Sequence, residues 1–267
     1  KIGDNDMPDF TGKKIVVVGG GNVAMDVTRT SLRLGASSVT CVYRRRQIDM
    51  TAQEEEVAGA LDEGAVVLPL HAPASIARDE NGKVTGLVCK PQIIGGYDRG
   101  GRPSPRDAHQ PEKLVPADII IVAIGQAIDS KPFEAHIPFQ RGNVVAGRDC
   151  TITDHPGVFA GGDCVTGPAT VIRAIAAGKV AAANIDQYLG FNHEISCDVE
   201  IPAPAACDRP ACGRVEIPLI EAWERKGNFK CLETCMTEEE ADQESGRCLR
   251  CDYYGYGNFR RGRQEKW

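Results

Sequence analysis

The sequence has no excess of basic residues and no long hydrophobic run, and we expect no secretory leader. Its 267 residues carry a formal net charge of −6, with a pI near 5.5. This charge argues against a nucleic-acid partner, because such proteins concentrate positive charge on their surface. The longest aliphatic run, 119–124, is far shorter than the roughly 20 residues that span a bilayer. We therefore expect a cytoplasmic protein with no nucleic-acid or membrane partner, folded into two domains.

Cysteine is plentiful, with eleven residues. In a reducing cytoplasm this number indicates metal ligation or simple burial before disulfides. Cys41, Cys89, Cys150 and Cys164 stand singly and are predicted to pack as small hydrophobic residues. The five histidines show no spacing typical of a metal site.

The strongest motif predicts a dinucleotide-binding site. A β-branched strand at 15–18 runs into G-x-G-x-x-A, formed by Gly19, Gly21 and Ala24, and a helix at 22–34 follows. These positions allow a tight turn, close approach of the backbone to a pyrophosphate, and close packing of the helix on the strand. The free N–H groups and dipole of the helix then favour the phosphates. Such a triplet occurs by chance in glycine-rich chains, but its place between a strand and a helix favours the functional interpretation.

The end of the second predicted strand indicates which nucleotide binds. An NAD site normally has an acidic residue there for the ribose 2′-hydroxyl. At the end of this strand, predicted at 39–43, the chain has Tyr43, Arg44, Arg45 and Arg46. Guanidinium groups bind a 2′-phosphate bidentately, whereas a carboxylate repels it. The pattern favours NADP over NAD, although for Arg46 a solvated surface role is equally well supported.

The middle of the chain alternates between helical and strand-like patterns. Residues 52–63 predict a helix with Val57 and Leu61 on its inner face and Gly64 at its end. Short strand-like stretches follow at 65–70, 75–78 and 84–90. The Gly-, Pro- and Arg-rich stretch at 95–111 predicts a loop, which is either mobile or a partner contact, with mobility favoured.

Two further glycine-containing corners follow. The buried strand predicted at 118–125 ends in a glycine turn, as dinucleotide domains do. A short apolar strand at 158–160 then leads into Gly161 to Asp163, and Pro168 opens a helix that runs to Leu189 with an apolar face. The turn and the helix N-terminus together predict a second anion-binding corner.

In this second corner the residue types fit a flavin. Asp163 is expected to accept a hydrogen bond from a ribityl hydroxyl. Backbone N–H groups near Ala169 and Thr170 are expected to face the flavin ring.

The tail after the proline-rich linker 201–218 is predicted to bind a metal. Its four closely spaced cysteines form a C-x3-C and a C-x2-C, at Cys231, Cys235, Cys248 and Cys251. Thr237 and Glu240 form a capping box that begins a helix between the pairs, and a break near Gly246 allows the pairs to converge. Cys207 or Cys212 are alternative ligands. A [4Fe–4S] cluster and a four-thiolate zinc site are both compatible with these ligands, and a redox-active dithiol is a competing interpretation.

With these motifs in this order, the chain resembles the glutamate synthase small-subunit family of FAD- and NADPH-dependent oxidoreductases, within the pyridine nucleotide-disulfide reductase-like fold. The matching segments are GGGNVAMD at 19–26, VYRRR at 42–46, AIGQ at 123–126 and VFAGGDCVTGPATVIRAIAAGKVAA at 158–182. They cover most of residues 10–190. The segment at 229–252 also resembles the start of the iron–sulfur domain of these subunits.

The resemblance implies an α/β fold in three parts. These are a Rossmann-like three-layer NAD(P)H-binding domain at 10–124, the C-terminal half of a FAD-binding domain at 125–190, and a linker with a cysteine-rich tail at 191–267. It implies NADPH binding by Gly19, Gly20, Gly21, Asn22, Val23, Ala24, Arg44 and Arg45. Gly125 and Gln126 are also assigned to cofactor binding, and Gly162, Asp163, Ala169 and Thr170 are assigned to FAD.

In the family an N-terminal segment binds the ADP half of FAD, and this chain starts after it. The other half of the FAD domain is therefore expected from the same polypeptide or another chain. Without it, the apolar faces of 158–160 and of the following helix would lack cover.

The expected function is hydride transfer from NADPH to FAD, with electrons passing through iron–sulfur centres to a redox partner subunit or a ferredoxin. The cofactors carry this chemistry, so no general acid or base is assigned. The alternative is a nucleotide-binding structural or docking subunit without flavin chemistry of its own.

Overall fold

A computed structural model describes residues 7–98, 101–193 and 212–248 of the protein. The described residues form two compact units, which are treated separately below. The first lies within Lys1–Ile124 and Glu216–Met236, and the second within Gly125–Val215 and Thr237–Trp267. The three-part division of the chain stays a prediction, and it did not include the placement of 216–236 with the first unit.

In the first unit, strands and helices alternate only as far as α2, and six consecutive strands follow; helices dominate the second unit. The strands are β1 (Lys14–Val18), β2 (Ser38–Val42), β3 (Val66–Leu68), β4 (His71–Arg78), β5 (Val84–Tyr97), β6 (Pro103–Asp107), β7 (Lys113–Pro116), β8 (Ile119–Val122), β9 (Phe139–Gln140) and β10 (Asn143–Val144). The helices are α1 (Asn22–Arg33), α2 (Glu54–Asp62), α3 (Asp163–Thr166), α4 (Val171–Tyr188), α5 (Ala222–Arg225) and α6 (Glu238–Gly246), with a 3₁₀ turn at Gln47–Asp49. None of these helices is both long and apolar enough to cross a membrane.

A parallel sheet with strand order β3-β2-β1-β8 is the centre of the first unit. Side chains of the central strand β1 alternate between its two faces. Ile15 and Val17 pack in the cluster that includes α1 and α2 residues, whereas Val16 and Val18 pack in a second cluster with Leu87 of β5. The sheet therefore lies between a helical layer and a second sheet. This arrangement confirms the predicted α/β class and explains why β1 is apolar from Ile15 to Val18.

Helix α2 confirms one predicted inward residue and corrects the other. Val57 is buried, but Leu61 is 38% exposed, so its predicted place on the inner face is wrong. The buried side instead contains small residues, Gly59 and Ala60. A Cβ on Gly59 would lie 3.2 Å from Cζ of Arg29. The buried arginine of α1 takes the space that a larger side chain would need.

The second sheet of the first unit is antiparallel and lies between β3 and β8 in the chain. β5 is its central strand and pairs with β4, β6 and β7. The prediction of a loop at 95–111 is wrong, because this stretch includes the end of β5 and the whole of β6. Pro103 and Pro105 are tolerated in β6, since in the described ranges this strand pairs with β5 alone and is therefore an edge strand.

The second unit corrects two predicted boundaries. The strand predicted at 158–160 is reduced to one isolated bridge, between Phe159 and Thr151. The long helix begins at Val171 rather than at Pro168, with Thr170 as its N-cap. The residues before it turn the chain out of α3, which ends at Thr166 and is followed by Gly167 with a positive φ of 76°.

The apolar face of α4 is uncovered, as predicted. Ile172 is 77% exposed, and α4 has no buried residue in the part of the chain that the structure describes. The predicted capping box of α6 is also confirmed. The Thr237 side chain accepts from the Glu240 N–H at 3.2 Å, and the Glu240 carboxylate accepts from the Thr237 N–H at 2.8 Å.

Candidate functional site

The turn after β1 is too tight for any residue but glycine at its first position. Gly19 has a φ of +155°, and a Cβ there would lie 2.3 Å from the carbonyl oxygen of Ala123 and 3.0 Å from Cβ of Ala24. The Gly19 N–H donates to the Val42 carbonyl at 3.1 Å. The end of β1 is thus fixed to β2 and lies against the end of β8.

Gly20 is held beneath an aromatic ring that sequence reasoning did not assign to the site. A Cβ on Gly20 would lie 2.3–2.8 Å from ring atoms of Tyr43. The Tyr43 hydroxyl donates to the Asp49 carbonyl at 2.8 Å. The Gly20 carbonyl accepts from the N–H groups of Thr51 at 2.9 Å and Ala52 at 3.1 Å. The segment after β2 is therefore fixed against the glycine turn.

The N-terminus of α1 faces open space. Gly21 is its N-cap, and the nearest atom to a Cβ placed there would be Oγ1 of Thr51, at 3.5 Å. In the described part of the chain no side chain caps this helix. Asn22 turns its amide oxygen towards α2, where it accepts from the Gln53 N–H at 2.9 Å, and Val23 is exposed. The first N–H groups of α1 are left for an anionic ligand.

The three consecutive arginines have three different environments. Arg45 is buried, and its Nε donates to the Pro103 carbonyl at 2.6 Å, so this side chain ties the end of β2 to the β5–β6 hairpin. Arg46 donates twice to the Asp49 carboxylate, both at 2.8 Å, and these hydrogen bonds hold the pKa of Asp49 below its usual range. Arg44 is exposed and has no polar partner among the described residues. Arg44 is therefore the member of the predicted pair that is free to bind a phosphate.

The second unit brings together the residues predicted to bind a flavin. Gly162 has a φ of +74°, and the nearest atom to a Cβ there would be 3.6 Å away. The Asp163 carboxylate accepts from the Ala169 N–H at 3.3 Å, which folds the loop back on itself. Thr170 begins α4 without a side-chain cap from any described residue. The result is an exposed helix N-terminus beside an acidic side chain.

Gly125 and Gln126 belong to this same unit. Gly125 has a φ of +108°, as the predicted glycine turn requires, and Gln126 is exposed. Their assignment to cofactor binding stays a prediction.

The predicted metal ligands are divided between the two units. Cys231 and Cys235 lie in the first unit, Cys248 lies in the second, and all three are exposed. Cys251 and Cys207 lie outside the described residues. Within the described ranges, no three His, Cys, Asp or Glu side chains are grouped as a metal site would require. The metal site therefore stays a prediction.

The burial predicted for the single cysteines is confirmed for Cys41, Cys89 and Cys150, whereas Cys164 is partly exposed. Burial raises the pKa of the Cys41 and Cys89 thiols to about 11. Because only the thiolate reacts, we expect iodoacetamide at pH 8 to leave these two unmodified in the native protein while the exposed Cys212 is alkylated. Peptide mass spectrometry measures this, and modification of Cys41 at the rate of Cys212 would contradict the burial.

Curated relatives of this chain are oxidoreductase subunits. It is 42% identical over 260 residues to the NADP(+)-dependent formate dehydrogenase subunit beta of Moorella thermoacetica, covering 91% of this chain and 36% of the relative. It is 34% identical to the NADPH-Fe(3+) oxidoreductase subunit beta of Geobacter sulfurreducens, covering 91% and 42% of the two chains. It is 37% identical to the glutamate synthase [NADPH] small chain of Escherichia coli, covering 70% and 41%. The chain thus spans less than half the length of these relatives.

Solved structures support the fold. FprA of Mycobacterium tuberculosis, in complex with NADPH, matches with a TM-score of 0.56 and 19% identity, over 68% of this chain and 54% of that one. The thioredoxin reductase of T. acidophilum matches with a TM-score of 0.54 and 20% identity, over 68% and 53%. The family model for pyridine nucleotide-disulphide oxidoreductases matches residues 1–178. The chain therefore belongs to the pyridine nucleotide-disulphide oxidoreductase family, and its predicted resemblance to glutamate synthase small chains is confirmed.

Proposed function

We propose that this chain is the NADP(H)-binding part of a flavin-dependent oxidoreductase subunit that passes electrons between NADPH, FAD and iron–sulfur centres. A redox partner subunit or a ferredoxin would exchange electrons with it. The single observation that carries the proposal is the open N-terminus of α1 behind the glycine turn, with Arg44, which has no polar partner among the described residues, at the end of the neighbouring strand. The names of the relatives, which include NADP and NADPH, support the choice of nucleotide.

The residues of the first unit fit NADP(H). A Cβ on Gly21 would occupy the open space before α1, which is the space that a pyrophosphate on the helix N-terminus needs. The exposed Arg44 guanidinium supplies positive charge for the 2′-phosphate. Gly20 and Tyr43 shape the turn beneath. Together these residues of the first unit would bind and orient the nucleotide.

The residues of the second unit fit one part of FAD. Asp163 keeps an exposed carboxylate that can accept from a ribityl hydroxyl, and the start of α4 at Thr170 offers N–H groups to an electron-rich ring. When both cofactors are bound, NADPH supplies a hydride and FAD accepts it. The protein contributes orientation, so we assign no catalytic acid or base.

The uncovered face of α4 fits a FAD domain completed by further sequence, from the same polypeptide or another chain. Val171 is 75% exposed and Ile175 is 55% exposed on a helix that is otherwise rich in alanine. Single exposed apolar residues are normal, but a continuous row of them marks an interface. A [4Fe–4S] cluster held by the four cysteines of the tail would accept electrons, whereas a zinc ion at the same place would stabilise the fold. Of the two, the iron–sulfur cluster fits electron transfer.

A docking module is the second candidate, and the same exposed helix face favours it. In that case the nucleotide fold would be retained while a partner performs the flavin chemistry. The two functions differ in whether the purified protein holds flavin that NADPH reduces.

The test is the visible spectrum of the anaerobically purified protein with all that co-purifies, recorded before and after NADPH is added. Iron, zinc and flavin are quantified on the same sample. Flavin bands that bleach on addition of NADPH, with iron present, are the expected result. A colourless protein that contains zinc and no flavin would contradict the proposal and support the docking module.

A further inference from the structure

Residues 218–234 form a loop that closes on itself within the first unit. The Ile220 N–H donates to the Leu232 carbonyl at 3.0 Å, and the Thr234 N–H donates to the Pro218 carbonyl at 3.1 Å. These bonds join the two ends of the loop, with the short helix α5 between them. The two ends of the loop are therefore held together at its base.

The C-x3-C pair lies at the closed base of this loop. Cys231 precedes the residues that pair at the base, and Cys235 follows them directly. The Cys231 thiol donates to the Glu233 carbonyl at 3.3 Å. Whatever fixes the loop therefore fixes the position of both cysteines.

One buried arginine attaches the loop to the helical layer. Arg225 is at the end of α5 and is 5% exposed. Its Nε lies 3.1 Å from Oε1 of Glu63 without being aligned to donate a hydrogen bond, so this contact is an ion pair. Nη2 lies 3.6 Å from the Asp62 carboxylate, and Nη1 donates to the Ile220 carbonyl at 3.3 Å. The arginine thus contacts both the loop and the end of α2.

The Glu63 carboxylate, which pairs with Arg225, also forms ion pairs with two arginines of α1. Glu63 is fully buried, with Nη2 of Arg29 at 2.8 Å and Nη2 of Arg33 at 3.1 Å from its Oε1. Burial alone would lower the pKa of Arg29, but its hydrogen bonds to Glu63 and Glu56 outweigh that effect and raise it. Buried charges persist only when they are paired in this way. The cluster therefore joins α1, α2 and the loop through a single carboxylate.

A second contact supports the same attachment. Cζ of Arg33 lies 6.0 Å from the centroid of the Phe229 ring, within range of a cation–π interaction. The loop is held at two points along α1 and α2, one ionic and one aromatic.

We propose that Arg225 is a positioning residue. Through Glu63 it fixes the loop 218–234 to α1 and α2, and so holds the Cys231–Cys235 pair on the nucleotide-binding unit. The proposal does not depend on nucleotide binding or on which metal the cysteines take.

Hydrogen exchange with mass spectrometry tests the proposal on the full chain. In Arg225→Met, exchange in residues 218–234 is expected to accelerate at least tenfold, while β1 and α1 exchange as in the wild type. Arg225→Lys keeps the charge and is expected to restore most of the protection. Trp223→Ala is the matched control, because Trp223 is 72% exposed on the same helix and its loss is expected to change loop exchange less than twofold.

Two results would overturn the proposal. One is unchanged loop exchange in a folded Arg225→Met protein, and the other is a lysine variant no better protected than the methionine variant. If Arg225→Met does not fold, hydrogen exchange of the wild-type protein is the test. An attached loop requires that the Ile220 and Thr234 amides exchange at least tenfold more slowly than unprotected amides. NADP⁺ affinity, measured on the folded variants, is expected to stay within twofold, which separates this test from that of the nucleotide site.

Discussion

Replacing Gly21 with alanine is expected to weaken binding of both NADPH and NADH, by about 100-fold or more, without unfolding the protein. Gly21 has an ordinary φ of −100°, and an added Cβ would meet no atom closer than 3.5 Å. The methyl group would instead occupy the open space before α1, where a pyrophosphate must lie. Isothermal titration with each nucleotide measures the loss, and thermal unfolding checks that the fold is retained.

Gly19→Ala is the matched comparison. An added Cβ there would lie 2.3 Å from the Ala123 carbonyl oxygen, at a backbone φ of +155°. This variant is expected to lose about 2–4 kcal/mol of unfolding free energy, because the backbone must shift. If Gly21→Ala bound both nucleotides like the wild type, the glycine turn would not be the pyrophosphate site.

Arg44→Ala is expected to weaken NADPH binding by about 10- to 100-fold, as the loss of hydrogen bonds to a charged group predicts. NADH binding is expected to change less than twofold, because NADH has no 2′-phosphate. Arg44 is exposed and unpaired among the described residues, so its removal breaks no observed contact. Titration with both nucleotides gives the ratio of the two Kd values directly.

The neighbouring arginines are the controls for this variant. Arg46→Ala is expected to change the NADPH-to-NADH ratio little, since Arg46 is occupied by Asp49. Arg45→Ala is expected to lower stability and affect both nucleotides similarly, because Arg45 binds the Pro103 carbonyl. Equal losses of NADPH and NADH affinity in Arg44→Ala would contradict the assignment of Arg44 to the 2′-phosphate.

Local sequence patterns were sufficient to predict the strand, turn and helix that form the candidate nucleotide site. The strand, turn and helix around Gly19 depend on contacts between residues close in sequence, and the structure has them where the pattern placed them. The sequence shows the run of three arginines, but it does not show which of them are engaged by other parts of the protein. Which guanidinium is free depends on Pro103, a residue 58 positions away from Arg45.

Long-range packing explains the remaining differences. The proline and glycine content of residues 95–111 is typical of a loop, and an edge strand that tolerates proline, such as β6, cannot be predicted from composition. Helical spacing predicts an inward Leu61, whereas the buried side of α2 has Gly59 packed against the Arg29 side chain, a long-range contact that spacing does not reveal. The docking of Arg225 on Glu63 joins segments far apart in sequence, and neither residue type predicts the other.

The most direct test of the central claim is calorimetric titration of the wild-type chain with NADP⁺ and with NAD⁺ at the same ionic strength. We expect NADP⁺ to bind at least tenfold more tightly, with the difference narrowing as salt screens the exposed Arg44. Equal affinity for the two nucleotides, or no binding of either, would contradict the assignment of residues 14–46 as an NADP(H) site.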